Sequence, residues 1–157
     1  DWLWGGSEDA IYASIAHGRV GVMPPWGEML GRDGVEEVVA YVLQISGQQA
    51  PNALSQAGEA RFQMICAACH GIDGTGMQAL GAPNLTDDVW IYGGTAEAIP
   101  RAGVNGLQNQ MPAHLELLGE QRVRVLAAHV LNLAPSPPAA GPAAAEPSGE
   151  ATADATN

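Results

Sequence analysis

Cys66-Ala67-Ala68-Cys69-His70 constrains this chain more than any other stretch. Two cysteines three residues apart lie on one side of a helical turn. Their thiols can add to the two vinyl groups of a single haem, and the adjoining imidazole is placed to reach the iron from the same side, so C-x-x-C-H reads as covalent c-type haem attachment. Other uses of the pair fit less well. A structural disulfide leaves the histidine without a role. A thioredoxin-like redox pair calls for a strand–helix–strand setting that the pattern does not supply. A zinc site needs two more ligands, and the remaining histidines are not spaced as a second knuckle. Any fold proposed for this chain must enclose a macrocycle on both faces.

The second face needs a sixth ligand, and methionine opposite histidine is the pair that raises a haem's reduction potential. Met64 reads as core, and Met77 stands seven residues after His70, too few to pass comfortably around the haem rim. Met111 is better placed, in Asn109-Gln110-Met111-Pro112, where proline fixes φ and stiffens the loop holding the sulfur. His114 and His129 are the rival ligands, His129 inside a helical stretch where it reads as packing. Behind the proximal imidazole, Pro83-Asn84-Leu85 is either an ordinary turn or a segment whose backbone carbonyl accepts the His70 Nδ1–H. Trp2 and Trp90 each stand 21 residues before a methionine, as core or as indole donors to a haem propionate.

Sliding the sequence by 88 residues superposes two copies without a gap. Trp2-Leu3-Trp4-Gly5-Gly6 falls on Trp90-Ile91-Tyr92-Gly93-Gly94, and Met23-Pro24 on Met111-Pro112. Glu28-Met29-Leu30-Gly31 falls on Glu116-Leu117-Leu118-Gly119, and about a third of the aligned positions are identical. The same offset carries Cys66, Cys69 and His70 to positions −22, −19 and −18, ahead of Asp1. The expected organisation is therefore 1–47 as the distal-ligand half of a first domain, 48–54 as a linker, 55–133 as a complete second domain, and 134–157 as a disordered Ala/Pro-rich tail. Met23 is then the ligand of a first haem, and the 157 residues themselves carry one haem of a pair.

The coarse structure is helical in both copies. Ser7 to His17 forms a short helix closed by Gly18, and its copy from Thr95 is interrupted by Pro100. Asp33 and Glu36 read as a capping box, followed by the helical stripe Val35, Val38, Val39 and Val42. Val123, Leu126, Ala127 and Val130 repeat that stripe in the second copy. A helix from about Ser55 to Cys69 offers Gly58 as a place where another helix crosses closely, with Phe62 beside it. Standing alone, residues 1–47 cannot bury their valine stripe and must lean on the second domain, an upstream portion or another subunit. Seventeen acidic residues against six basic ones, a net charge of −11, argue against nucleic acid as a partner. No apolar run reaches the length of a membrane helix.

Asp1-Trp2-Leu3-Trp4-Gly5-Gly6, Gly21-Val22-Met23-Pro24-Pro25-Trp26-Gly27, Cys66-Ala67-Ala68-Cys69-His70-Gly71, Gly81-Ala82-Pro83-Asn84-Leu85-Thr86-Asp87-Asp88 and Asn109-Gln110-Met111-Pro112-Ala113-His114 together resemble the dihaem subunit III (CcoP) of cbb3-type cytochrome c oxidases. The resemblance runs from residue 1 to about 133. It implies an all-α chain of class I cytochrome c domains, one complete and one a C-terminal half. It implies haem c, a membrane anchor upstream, and a place on the periplasmic side of the bacterial inner membrane. The implied partners are the other subunits of a proton-pumping terminal oxidase and a donor, cytochrome c or the cytochrome bc1 complex. The family's ligand methionines map onto Met23 and Met111, and its second haem motif onto Cys66, Cys69 and His70. The sequence departs from the family at His129, where an aromatic is usual in the last helix; Tyr41 keeps that aromatic in the first copy.

Overall fold

The computed structural model describes residues 2–133; the expected tail at 134–157 lies outside them. Helices dominate: α1 (Glu8–His17), α2 (Gly27–Ile45), α3 (Ala53–Ile65), α4 (Ala67–His70), α5 (Ala98–Asn105), α6 (Leu115–Leu118) and α7 (Glu120–Leu133). Among the described residues none is long and apolar enough to cross a membrane. Two short strands, β1 (Arg19–Met23) and β2 (Leu107–Met111), form an antiparallel ribbon that an all-helical expectation does not include.

Local chemistry sets the helix ends. Ser7 caps α1 by accepting from the Ala10 amide, and Gly18 ends it at φ +69°. Asn52 and Ser55 cap α3 reciprocally, each side chain accepting from the other's backbone N–H. The helix expected from Ser55 to Cys69 begins two residues earlier and breaks at Cys66, where α4 takes over. The helix expected from Asp33 starts at Gly27 and kinks at Gly31, a glycine at φ +63°. Pro100 opens α5 instead of breaking it, because an N–H missing from a first turn leaves no intrahelical bond unmade.

The two copies are paired by the ribbon and then packed crosswise. Met23 lies opposite Leu107, Gly21 opposite Asn109, and Arg19 opposite Met111. The Trp26 amide donates to the Gly103 carbonyl at 2.9 Å, and the equivalent His114 amide to the Ile15 carbonyl at 3.0 Å. Helix α2, from the first copy, lies on α3 and α5 of the second, while α7 of the second copy lies on α1 of the first. Tyr41, Val42 and Phe62 form one core, with Val38, Ile45, Leu85, Trp90 and Ile99 against it. Ile11, Ile15, Ala16, Val123 and Ala127 form the other. Residues 1–47 thus lean on the second copy by exchanging final helices with it.

Candidate haem site

Cys66 ends α3, and Cys69 and His70 lie on α4, the helical turn that follows. His70 is 8% exposed, and its Nδ1 lies 3.1 Å from the Pro83 carbonyl. An Nδ1–H donated to that oxygen leaves the Nε2 lone pair free for a metal. Burial lowers the His70 pKa, against the smaller raising effect of the Pro83 bond, so the ring is held in its neutral, ligating form. Both cysteines are free thiols, and burial, with Cys69 second, pushes the Cys66 thiol up to about 11.

The loop carrying Pro83 is folded by its own polar side chains. Gly76 N–H donates to the His70 carbonyl at 2.7 Å, and Leu85 N–H to the Gly74 carbonyl at 2.7 Å. Asp73 accepts from the amide and hydroxyl of Thr75, and Asn84 from those of Thr86. Gly76, at φ +87°, lies flat against Ala82, Pro83 and Asn84, where a Cβ would come within 2.6 Å of the Ala82 carbonyl. Met77 and Ala82 close the loop with a bridge.

On the other side of the motif stands α2. Gly58 of α3 lies directly against the Glu37 backbone, and Tyr41 meets Phe62 at a tilt of 53° with ring centroids 5.1 Å apart. Arg61 pairs with Glu37 at the same crossing. Cys66 and Ala67 touch this core, as do Leu85 and Trp90. Trp90 is packed there with its ring over Gly94, and Trp2 lies likewise over Gly6. Met64 is exposed, not core: Phe62 and Cys66 pack with Tyr41 and Val42 of α2 and leave it outside. His129 is exposed as well.

The methionines stand at opposite ends of the ribbon. Four residue steps separate them, about 13 Å at about 3.3 Å per residue, which is too far for one iron to hold both sulfurs. Met23, Pro24 and Pro25 press on Gly106 at the end of α5, and Met23 leads into α2. Met111, Pro112 and Ala113 press on Gly18 at the end of α1, and Met111 leads into α6 and α7. Met23 thus sits with the elements that pack on the C-x-x-C-H helix, and Met111 with the α1–α7 core. Beside Met111, the buried Nδ1 of His114 has no hydrogen-bond partner among the described residues. Trp4 and Arg19, to which the sequence assigned no role, also border this region: Trp4 lies on Gly81, and Arg19 lies over Trp4. A signal for Arg19 was available, since the repeat has Leu107 in its place.

The donor set fits a c-type haem: two free thiols one helical turn apart, an imidazole tied through Nδ1 with its pKa lowered by burial, and a methionine loop on packed elements. Comparison with known proteins agrees. Residues 53–130 match the family model described as cytochrome c oxidase, cbb3-type, subunit III. The Cbb3-type cytochrome c oxidase subunit CcoP of Rubrivivax gelatinosus is 44% identical over 134 residues, covering 85% of this chain and 44% of its own length. CcoP of Cereibacter sphaeroides is 40% identical, over 85% of this chain and 50% of its own. Subunit FixP of Rhizobium meliloti is 38% identical, over 85% and 49%. The chain spans about half the length of the curated relatives it matches.

Proposed function

Because this chain belongs to the family of cbb3-type cytochrome c oxidase subunit III, we propose that it is a haem c electron-transfer module of class I cytochrome c fold, working on the periplasmic side of the bacterial inner membrane. It accepts electrons from a cytochrome c or a cytochrome bc1 complex and passes them toward the catalytic subunit of a terminal oxidase. The bond between His70 and the Pro83 carbonyl carries this reading, because it fixes the one imidazole nitrogen that the iron does not need.

When bound, haem supplies a one-electron iron couple, and the protein sets its potential and surroundings. Cys66 and Cys69 would hold the macrocycle through their sulfurs, and His70 would offer Nε2 to the iron. Pro83 keeps the ring from turning. Tyr41, Val42, Phe62 and Ile99 form the apolar core that the motif packs against. A methionine sulfur as the further iron ligand would favour the ferrous state.

For that sulfur we assign Met23 in place of the expected Met111. The support is topological: α2, which Met23 leads into, lies on α3, and Met23 adjoins α5 of the same core. Met111 then serves a second haem, held by the residues that the 88-residue offset places ahead of Asp1. Replacing Met23 with alanine is expected to abolish the red methionine–iron charge-transfer band of the haem on Cys66 and Cys69 and to let reduced protein bind carbon monoxide. Replacing Met111 leaves that haem's band in place. The opposite pattern overturns the exchanged ligation, while carbon monoxide binding by the unaltered protein favours a different class of function, a gas-binding or peroxidase-type haem protein. A chain whose mass lacks covalent haem overturns the function itself.

A further inference from the structure

Arg19 is a cation held ready for an anion that the described residues do not supply. Its Nε donates to Ser14 Oγ at 2.9 Å, and Ser14 in turn donates to the Ala10 carbonyl at 2.8 Å. Its guanidinium lies 5.1 Å from the centre of the Trp4 ring. The side chain is half-buried. Among the described residues the ion pairs are Arg32–Glu36, Arg61–Glu37 and Arg124–Glu120, and Arg19 belongs to none of them. Arg101 and Arg122 belong to none of these pairs either, but both are exposed, so Arg19 is the unpaired arginine that the described fold partly covers.

Its position is specific. Arg19 lies opposite Met111 in the ribbon, so the two side chains share a face. Trp4, which it covers, rests on Gly81, two residues from the carbonyl that holds His70. The guanidinium therefore stands at the seam between the two methionine-bearing halves. The fold does not require it, since Leu107 occupies the equivalent position in the second copy.

Resting on the haem reading above, we infer that Arg19 receives a haem propionate at this seam, with Ser14 and Trp4 as the residues that position it. Arginine's planar fork suits a carboxylate bidentately. A cation in that contact keeps the propionate ionised well below neutrality and offsets its charge near the iron. Without it, the charged propionate stabilises ferric iron at neutral pH, and its protonation then falls inside the accessible pH range.

The test is a redox titration, between pH 5 and 8, of the full-length protein with its haems attached. The variant is Arg19→Leu, the residue that the second copy already accommodates. At pH 8 one haem's redox equilibrium is expected to move about tenfold toward ferric, about 59 mV for one electron. The shift shrinks as the pH falls, whereas the unaltered protein stays flat. Arg19→Lys, which keeps the charge, restores most of the potential. Ser14→Ala, which frees the side chain without removing the cation, gives a smaller change of the same sign and decides the matter should the leucine variant not accumulate. Whether the moving signal belongs to the haem on Cys66 and Cys69 or to the second haem identifies whose propionate is held. A flat, unshifted potential in the leucine variant, or in Ser14→Ala where that variant must stand in, overturns the assignment and leaves Arg19 as packing on Trp4. Haem attachment, read by mass, is a separate result, so the two readings fail separately.

Discussion

At the scale of single residues, the tightest fit is Gly58 on α3 against the Glu37 backbone. A methyl group there has no room, and the nearest atoms are main chain, which cannot rotate aside. Overpacking of this kind costs typically about 1–3 kcal/mol. Phe62, with no exposed surface, works from the other direction: truncation to alanine empties the space beside Tyr41 at about 3–5 kcal/mol. Gly58→Ala and Phe62→Ala are therefore both expected to lower the thermal midpoint of the haem-loaded chain, with Phe62→Ala also loosening the haem. Calorimetry checks the first effect and carbon monoxide binding the second; an unchanged midpoint for Gly58→Ala contradicts the close crossing. Both residues were legible in the sequence as a crossing point and its filler. The helix that crosses there was not. Val35, Val38, Val39 and Val42 repeat at the same spacing as Val123, Leu126, Ala127 and Val130, and a stripe at helical period states that a face is buried without stating against what. The one discriminating mark was Tyr41 where the second copy has His129, because an aromatic partner suits Phe62.

At the scale of elements, the ribbon was the feature hardest to read. Leu107-Gln108-Asn109-Gln110-Met111 has no alternation of apolar and polar side chains, so nothing in it announces a strand; it becomes one by pairing with the other copy. Its ends are set by two glycines. Gly106, at φ +70°, lies against Met23, Pro24 and Pro25, and Gly18, at φ +69°, against Met111, Pro112 and Ala113. With ψ near 180° as well, an L-residue in that conformation costs on the order of 1–3 kcal/mol before any clash, and a Cβ at either position meets backbone. Gly106→Ala is expected to displace the Met23 loop and to speed carbon monoxide entry at the haem on Cys66 and Cys69. Gly18→Ala displaces the Met111 loop and leaves that haem untouched. Stopped-flow carbon monoxide binding to the two variants separates the cases, and equal effects at this haem argue against the crosswise arrangement.

At the scale of the whole molecule, the repeat gave two copies, but the physical units are not the copies. One core joins α2 of the first copy to α3 and α5 of the second, and the other joins α1 to α7. The linker expected at 48–54 marks a real turn in the chain, yet the helices on its two sides are the most closely packed pair among the described elements. Local punctuation reports where the backbone turns and is blind to which surfaces meet afterwards. The cores should also differ in stability once haem is attached to Cys66 and Cys69. The macrocycle adds its apolar surface to the core of Tyr41, Val42 and Phe62, while Val125 and Leu133 on α7 stay open, 70% and 68% exposed. Buried apolar surface contributes roughly 25 cal/mol per Å², and amide exchange reads local opening free energies element by element. In the haem-loaded chain, α2 amides are therefore expected to exchange as slowly as those of α3, and α1 and α7 together at a faster common rate. If α2 exchanged instead with α1, as two elements of one independent half-domain would, the crosswise packing and the ligation by Met23 that depends on it would both fall.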